Sequence, residues 1–134
     1  MHTPSAGGIV FHEGKVLVIT SARRNSVDLP KGTIELNESI NETAIREVEE
    51  ETGYRVRIKE DLGSITYDYN GHNSIRYRKT VSYFLMELAD LDAPVKNLQE
   101  GEDFENEWLN PEEAISRLTY DDTREMLRLV MEKL

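Results

Sequence analysis

One acidic segment constrains this chain more than any other, because its carboxylates are spaced as one face of a helix requires. Read as a helix from about Ser39 to Thr52, the segment places Glu47, Glu50 and Glu51 at positions i, i+3 and i+4. Each exposed pair of like charges at this spacing costs about 0.2 to 0.5 kcal/mol. A divalent cation bound between the carboxylates explains the arrangement best. Carboxylate oxygens favour magnesium or manganese, which substrate phosphates also bind.

The other residues of this predicted helix suit structural roles. Arg46 can reach Glu42 and Glu50, each one turn away, and would hold the carboxylates in place. Glu49 lies on the opposite side, where we expect it to face solvent. An apolar stripe is predicted to pack against a core, and it comprises Ile40, Ala44 and Val48. Gly53 favours a left-handed end to the helix.

The order of residues across this segment is similar to the signature of the Nudix hydrolases. The pattern consists of Gly32, Glu38, Arg46-Glu47-Val48, Glu50-Glu51 and Gly53-Tyr54. The resemblance implies a fold of the α/β class, an α/β/α sandwich with a mixed β-sheet. It implies one Nudix domain over residues 1–134, and Mg²⁺ as the cofactor with Mn²⁺ as a substitute.

The resemblance also implies roles for single residues. Glu47, Glu50 and Glu51 would bind the metal, and the carbonyl of Gly32 would add a ligand. Glu38 and Arg46 would brace the loop and the helix, and Gly53 is structural within the motif.

Two positions depart from the family pattern. Asn37 stands before Glu38 where the family often has glycine. Asparagine tolerates the left-handed conformation better than other residues that carry a Cβ, so we expect the turn to persist. Val27 stands where an aromatic residue is frequent, and this argues against stacking of a base from that side.

Composition and charge bound the class of protein. The chain has 134 residues, no cysteine and a formal net charge of −10. This length suits one domain, and the absence of cysteine excludes disulfides and thiolate metal sites. The negative charge argues against nonspecific binding to nucleic acid. Without a long apolar run or a signal peptide pattern, we expect a cytoplasmic protein that does not enter membranes, either a monomer or a homodimer.

Alternation and turn residues predict the remaining elements. Strands are expected at Gly8–Phe11, Lys15–Thr20, Arg55–Ile58, Ser64–Tyr69, Arg76–Leu88 and Glu105–Leu109. Loops are expected at Ser21–Ile34 and Asp90–Glu102, and a hairpin turn at Asn70-Gly71. Two final helices are expected at Glu112–Arg117, capped by Asn110-Pro111, and at Asp122–Lys133, opened by Asp121.

Short matches outside the signature are similar to the Nudix branch that hydrolyses diadenosine tetraphosphate asymmetrically. They are Leu29-Pro30-Lys31-Gly32, Lys79 to Leu85, Glu107-Trp108-Leu109 and Pro111 to Ala114. The candidate substrate residues are Lys31 and Lys79 for phosphate and Tyr77 and Tyr83 for stacking on a base. Half-buried sheet packing is the competing interpretation of both tyrosines.

Glu102 lies in a predicted loop, where the tetraphosphate hydrolases similarly carry a glutamate near the metals. It is a candidate ligand or general base, and the competing interpretation is a surface acid. The hypothesis is metal-assisted hydrolysis, in which ions held by Glu47, Glu50 and Glu51 activate water and stabilise the leaving phosphate. Glu47 or Glu102 would accept the proton, and Arg46 would keep the carboxylates in place.

The sequence leaves other functions open. Within the enzyme class, the alternatives are RNA 5′ ends, ADP-ribose, an oxidised nucleoside triphosphate and a diphosphoinositol phosphate. The last would require a more basic pocket than this composition offers. From another class, the alternative is a module that senses a nucleotide without turnover, and the complete set of signature carboxylates argues against it.

Overall fold

The computed structural model describes residues 2–71, 73–89 and 104–134. The strands, in chain order, are β1 (His2–His12), β2 (Lys15–Ser21), β3 (Ser26–Asp28), β4 (Lys31–Thr33), β5 (Val56–Asn70), β6 (Arg76–Leu88) and β7 (Phe104–Leu109). The helices are α1 (Ile40–Thr52), α2 (Pro111–Arg117) and α3 (Asp121–Lys133).

The strands form a mixed sheet whose main path runs β3-β2-β1-β6-β5. Strand β1 pairs with β6 in parallel and with β2 and β4 antiparallel. Strand β7 pairs with β2, and β5 pairs with β6, both antiparallel. The long β1 therefore pairs with three other strands, and its residues Ser5 to Gly7 hold β4 against it.

Two apolar clusters cover the two faces of the sheet. Helix α1 contributes Ala44 and Val48 to one cluster, which also contains Val10 and Phe84. Helices α2 and α3 contribute to the other cluster, together with Ile9 and Tyr83 from the sheet. Adjacent residues of β1 thus point to opposite clusters, as the alternation of a strand requires. The predicted α/β/α arrangement with a mixed sheet is confirmed.

The structure confirms several predicted elements and corrects others. Strands β2, β6 and β7 and helices α1 and α2 lie where the sequence predicts them, within one residue at either end. The predicted loop at Ser21–Ile34 was wrong in part, because it contains β3 and β4, which β2 and β1 recruit by pairing. The predicted loop at Asp90–Glu102 lies outside the described residues.

Strand β5 is the second correction. The predicted strands Arg55–Ile58 and Ser64–Tyr69 are parts of one strand that pairs with β6 over most of its length. The register shifts twice, between Ile58 and Glu60 and between Asp61 and Gly63, where Gly63 adopts a φ of 88°. Bulges of this kind accommodate the extra residues without ending the strand, so polar residues that resemble a turn remain in the sheet.

Local hydrogen bonds define the ends of α1. Ser39 and Glu42 form a capping box, with Ser39 N donating to Glu42 and Glu42 N donating to the Ser39 hydroxyl. The expected pairing of Glu42 with Arg46 was therefore wrong, because the cap occupies this carboxylate. Gly53 has a φ of 80° and its N–H donates to Glu49 O, which confirms the left-handed helix end.

Two further expectations about helix residues differ from the structure. Glu49 accepts a hydrogen bond from Val56 N at 3.1 Å, so it fastens β5 to α1 and does not simply face solvent. Asp121 is the first residue of α3, and Tyr120 occupies the cap position without a capping side-chain hydrogen bond. Asn110 caps α2 as predicted, because its side chain accepts from Glu113 N. No helix in the described ranges has the length and apolar character needed to cross a bilayer.

The packing of α3 predicts unequal effects of truncating two leucines of one helix. Leu127 is fully buried in the cluster under α3, whereas Leu129 is 50% exposed. We expect Leu127→Ala to lower the free energy of unfolding by about 2 to 5 kcal/mol. Leu129→Ala should change it by less than about 0.5 kcal/mol. Equal losses in urea unfolding would contradict the placement of α3.

Candidate active site

Arg46 organises the acidic face of α1. Its Nε and Nη2 donate to the two oxygens of Glu38 at 2.6 and 3.0 Å, which makes a bidentate pair. Its Nη1 donates to Glu47 at 2.8 Å and to Glu50 at 3.2 Å. Its Nη2 also reaches the carbonyl of Thr33 at 3.3 Å. One guanidinium thus connects α1 to the loop before it and to the end of β4.

Glu38 is held at the start of this network by further contacts. Its carboxylate accepts from Thr43 Oγ1 at 2.8 Å and from Glu35 N at 3.1 Å. The hydrogen bond from Arg46 is the main reason why the pKa of Glu38 falls to about 2. Asn37, with a φ of 69°, makes the left-handed turn expected before Glu38. Glu38 is therefore ionised and fixed, as a bracing residue must be.

Gly32 allows β4 to approach the helix closely. A Cβ at Gly32 would collide with the carboxylate of Glu47. A side chain at this position would therefore displace the Glu47 carboxylate, which lies directly against the backbone of β4. Burial is the main cause that raises the pKa of Glu47, and the hydrogen bond from Arg46 opposes it. The glycine of the signature thus has a steric reason in this structure.

Glu51 lies one turn after Glu47 and is the most strongly perturbed carboxyl group of the acidic face. Its Oε2 accepts from the backbone N–H of Lys31 at 3.3 Å. Burial, and then the nearby charge of Glu47, raise its pKa to about 8. Two carboxyl groups that both resist ionisation thus adjoin the backbone of β4.

This set of groups suits a hard divalent cation. Glu47 and Glu51 offer oxygen ligands beside the backbone at Gly32, and a bound cation would remove the cost of ionising both. Within the described residues, no three acidic or histidine side chains converge closely enough to ligate one ion. Arg46 holds Glu50, which is 54% exposed, and also holds Glu47. Glu102 lies outside the described residues, so its role stays a prediction.

A cavity of about 400 Å³ opens beside this site, between the sheet and the start of α3. Its lining includes Lys79 and Tyr67 from the sheet and Tyr120 from the start of α3. A smaller cavity of about 100 Å³ is lined by Glu51. The two cavities share lining residues, and these are Arg24, Asp28, Lys31 and Tyr120. A ligand in the larger cavity would therefore lie next to the acidic site.

The predicted substrate residues have different environments. Lys31 and Lys79 line the large cavity, and burial followed by the charge of Lys31 lowers the pKa of Lys79. Tyr83 also borders the cavity, but its side chain is fully buried in the core and offers no open ring face. Tyr77 stacks on Tyr69, with ring centroids 5.3 Å apart. The packing interpretation therefore describes both predicted tyrosines in this structure.

The sequence reasoning did not select Tyr67, Tyr120, Arg24 and Asp28, which also line the cavity. A signal for Tyr67 was present, because it pairs with Lys79 across β5 and β6 and faces the same side. Tyr120 is 55% exposed beside the uncapped start of α3. No local pattern identifies Tyr120, since α3 brings it to the cavity only through tertiary packing.

The chain belongs to the Nudix family, whose domain model matches residues 1–130. It is 37% identical to MutT4 of Mycobacterium tuberculosis, over 98% of this chain and 56% of that protein. It is 32% identical to the asymmetrical bis(5′-nucleosyl)-tetraphosphatase of Sus scrofa, over 74% of this chain and 65% of that protein. The chain thus spans between half and two thirds of the length of these two relatives.

Solved structures agree with this fold. A Nudix hydrolase from Nitrosomonas europaea has a TM-score of 0.77 and 19% identity, over 99% of this chain and 90% of that one. The Ap4A hydrolase of C. elegans has a TM-score of 0.72 and 24% identity, over 98% of both chains. These likenesses confirm the fold of the family and do not extend to substrate.

The raised pKa of Glu51 predicts a pH dependence of stability in metal-free protein. The folded state retains a proton that the unfolded state loses above a pH of about 4.5. With EDTA present, the free energy of unfolding should therefore fall as the pH rises from about 5 to 8. Glu51→Gln should flatten much of this fall, because the amide never ionises. Equal pH profiles of the two proteins in chemical denaturation would contradict this environment of Glu51.

Proposed function

We propose that this chain is a divalent-metal-dependent pyrophosphohydrolase of nucleoside polyphosphates, with diadenosine tetraphosphate, cleaved to ATP and AMP, as its preferred substrate. The observation that supports this most is the junction of two features at Lys31. Its backbone N–H binds Glu51 of the acidic site, and its side chain lines the cavity. A phosphate chain that enters the cavity would thus meet the metal-binding carboxylates.

Glu47, Glu50 and Glu51 would share two or three Mg²⁺ ions between them, or Mn²⁺ in their place, with the carbonyl of Gly32 as a further candidate ligand. When bound, the cation polarises phosphate oxygens and lowers the pKa of water. Arg46 keeps Glu47 and Glu50 at the site through its two hydrogen bonds. Glu47 or Glu102 accepts the proton of the attacking water in this proposal.

The cavity suits one nucleoside and its phosphates. Tyr67 and Tyr120 provide aromatic surface on two different walls, and each is a candidate to stack on a base. Lys79 lies on the same wall as Tyr67 and provides positive charge for a phosphate. These residues replace Tyr77 and Tyr83 in the proposed stacking role, because each of those two is packed against the protein itself.

The names of several relatives support a polyphosphate substrate, and two of them support diadenosine tetraphosphate. Two tetraphosphatases, from Sus scrofa and Rattus norvegicus, are 32% and 30% identical to the chain. A relative from Lactococcus lactis is named as a DHNTP pyrophosphohydrolase and is 32% identical over 70% of the chain. A substrate with several phosphates is therefore the common feature of these three names.

A substrate panel with magnesium and with manganese tests the proposal. It comprises diadenosine tetraphosphate, ADP-ribose, triphosphorylated RNA and an oxidised nucleoside triphosphate. We expect ATP and AMP in equal amounts from diadenosine tetraphosphate, with the highest kcat/KM of the panel. Two molecules of ADP, or a preference for another member, would reject the assigned substrate. Nucleotide binding without metal-dependent products would indicate a sensor.

A pair of variants on one helix tests the acidic site. We expect Glu50→Gln to lower kcat by about 10-fold to 100-fold or more. A loss of this size is typical even when the removed residue only contacts a metal ligand. The change is nearly isosteric, so thermal unfolding should stay close to that of the parent protein.

Glu49→Gln is the matched control. Its amide oxygen can still accept from Val56 N, and the residue lies on the other side of α1, so kcat should stay close to the parent value. Near-normal turnover of Glu50→Gln would reject the assignment of Glu50 as a ligand.

A further inference from the structure

Asp28 and Lys31 form a close ion pair at the junction of the two cavities. Lys31 Nζ lies 2.6 Å from Asp28 Oδ2, and the two side chains are only 19% and 16% exposed. The other oxygen of Asp28 accepts from Leu29 N at 2.8 Å, which fixes the carboxylate. Asp28 is therefore both a rigid partner of Lys31 and a negative charge on the cavity wall.

The second lysine of the cavity differs in its partners. Lys79 also lines the cavity, but the ion pairs formed among the described residues do not include it. The cavity thus contains one lysine whose charge is already balanced and another whose charge is available to a ligand. An anion would gain little from the first unless the carboxylate beside it were neutral.

We propose that Asp28 is a specificity-determining residue that opposes the binding of polyphosphate by neutralising Lys31 at the wall of the cavity. This inference rests on the proposed function, because it assigns the cavity to a phosphate chain. Its consequence is that affinity is kept below the value that the lysines alone would give. A ligand that places few negative charges near Lys31 is therefore bound weakly. The products of cleavage carry fewer charges than the substrate, so they are released more easily.

Charge and geometry support this direction of the effect. A phosphate oxygen in contact with Lys31 Nζ would lie a few ångströms from Asp28, since that carboxylate is 2.6 Å from the same nitrogen. In a partly buried site both effects are large, and the repulsion from the aspartate offsets much of the attraction to the lysine. The opposite role, in which Asp28 merely holds Lys31 in place for the ligand, predicts weaker binding when Asp28 is changed.

Binding of inorganic tripolyphosphate in magnesium, measured by calorimetry, separates the two roles without requiring turnover. We expect Asp28→Asn to tighten binding at least about tenfold, because one of two opposing charges is removed. The asparagine oxygen can still accept from Leu29 N, and unfolding curves would verify the fold. With diadenosine tetraphosphate, KM should fall in this variant while kcat does not rise. Unchanged or weaker tripolyphosphate binding would overturn the inference.

A double variant gives the sharper comparison. Asp28→Asn with Lys31→Met removes a pair that is neutral as a whole, so tripolyphosphate should bind within about threefold of the parent protein. Lys79→Met, which removes an unbalanced charge, should weaken binding at least about tenfold. A loss of tenfold or more in the double variant would show that Lys31 already serves the ligand, and this would overturn the inference.

Asp122→Asn is the matched control for charge, because Asp122 lines the same cavity while Lys31 Nζ pairs with Asp28. We expect this variant to gain less than about threefold in affinity. A gain equal to that of Asp28→Asn would assign the effect to the general field of the cavity and overturn the specific role. If the parent protein bound no tripolyphosphate at all, the proposed function itself would fail. If the parent protein and Asp28→Asn bound tripolyphosphate equally well, only the role of Asp28 would be refuted, and the proposed function would stand.

Discussion

The contacts of Arg46 are the interaction on which the acidic site depends. One guanidinium binds Glu38 through two parallel hydrogen bonds and also contacts Glu47, Glu50 and the carbonyl of Thr33. It thereby holds the loop before α1, the helix and the end of β4 together, although the loop and the helix carry like charges that repel each other. A lysine has no planar fork, and it would not reproduce the bidentate pair while reaching the other groups. Arg46 therefore largely sets the positions of Glu47 and Glu50, whereas Glu51 accepts a hydrogen bond from the backbone N–H of Lys31.

The sequence predicted the parts of this site that depend on neighbours within α1. The spacing of Glu47, Glu50 and Glu51 and the contact from Arg46 to Glu50 follow from helix geometry alone. The end of the helix at Gly53 follows from its conformational freedom. The meeting of Gly32 with Glu47 was available only through the family resemblance, because the fourteen residues between them must fold first. The structure shows the physical reason for the glycine, because the Glu47 carboxylate occupies the space that a Cβ at residue 32 would need.

Tertiary pairing determines most of what the sequence did not predict. Glu49 was expected in solvent because it opposes the acidic face, yet β5 passes beside it and Val56 N requires an acceptor. Tyr83 alternates correctly with Lys79 and Val81, but its depth in the sheet buries the ring completely. Alternation gives the face of a strand and not the depth of a residue below the surface. Tyr120 faces the cavity because of how α3 packs, and no local pattern contains that information.

The cavity shows how a chain with a formal charge of −10 can admit an anion. Its described lining contains three cations, Arg24, Lys31 and Lys79, and two carboxylates, Asp28 and Asp122. The local balance is thus positive although the molecule is acidic, and cations bound at Glu47 and Glu51 would increase it. Repulsion from distant surface charges is screened within about 10 Å at ordinary salt, whereas charges in the cavity are screened much less. Under the proposed function, these few groups would therefore decide the affinity for a polyphosphate, and a single carboxylate among them would have a large effect.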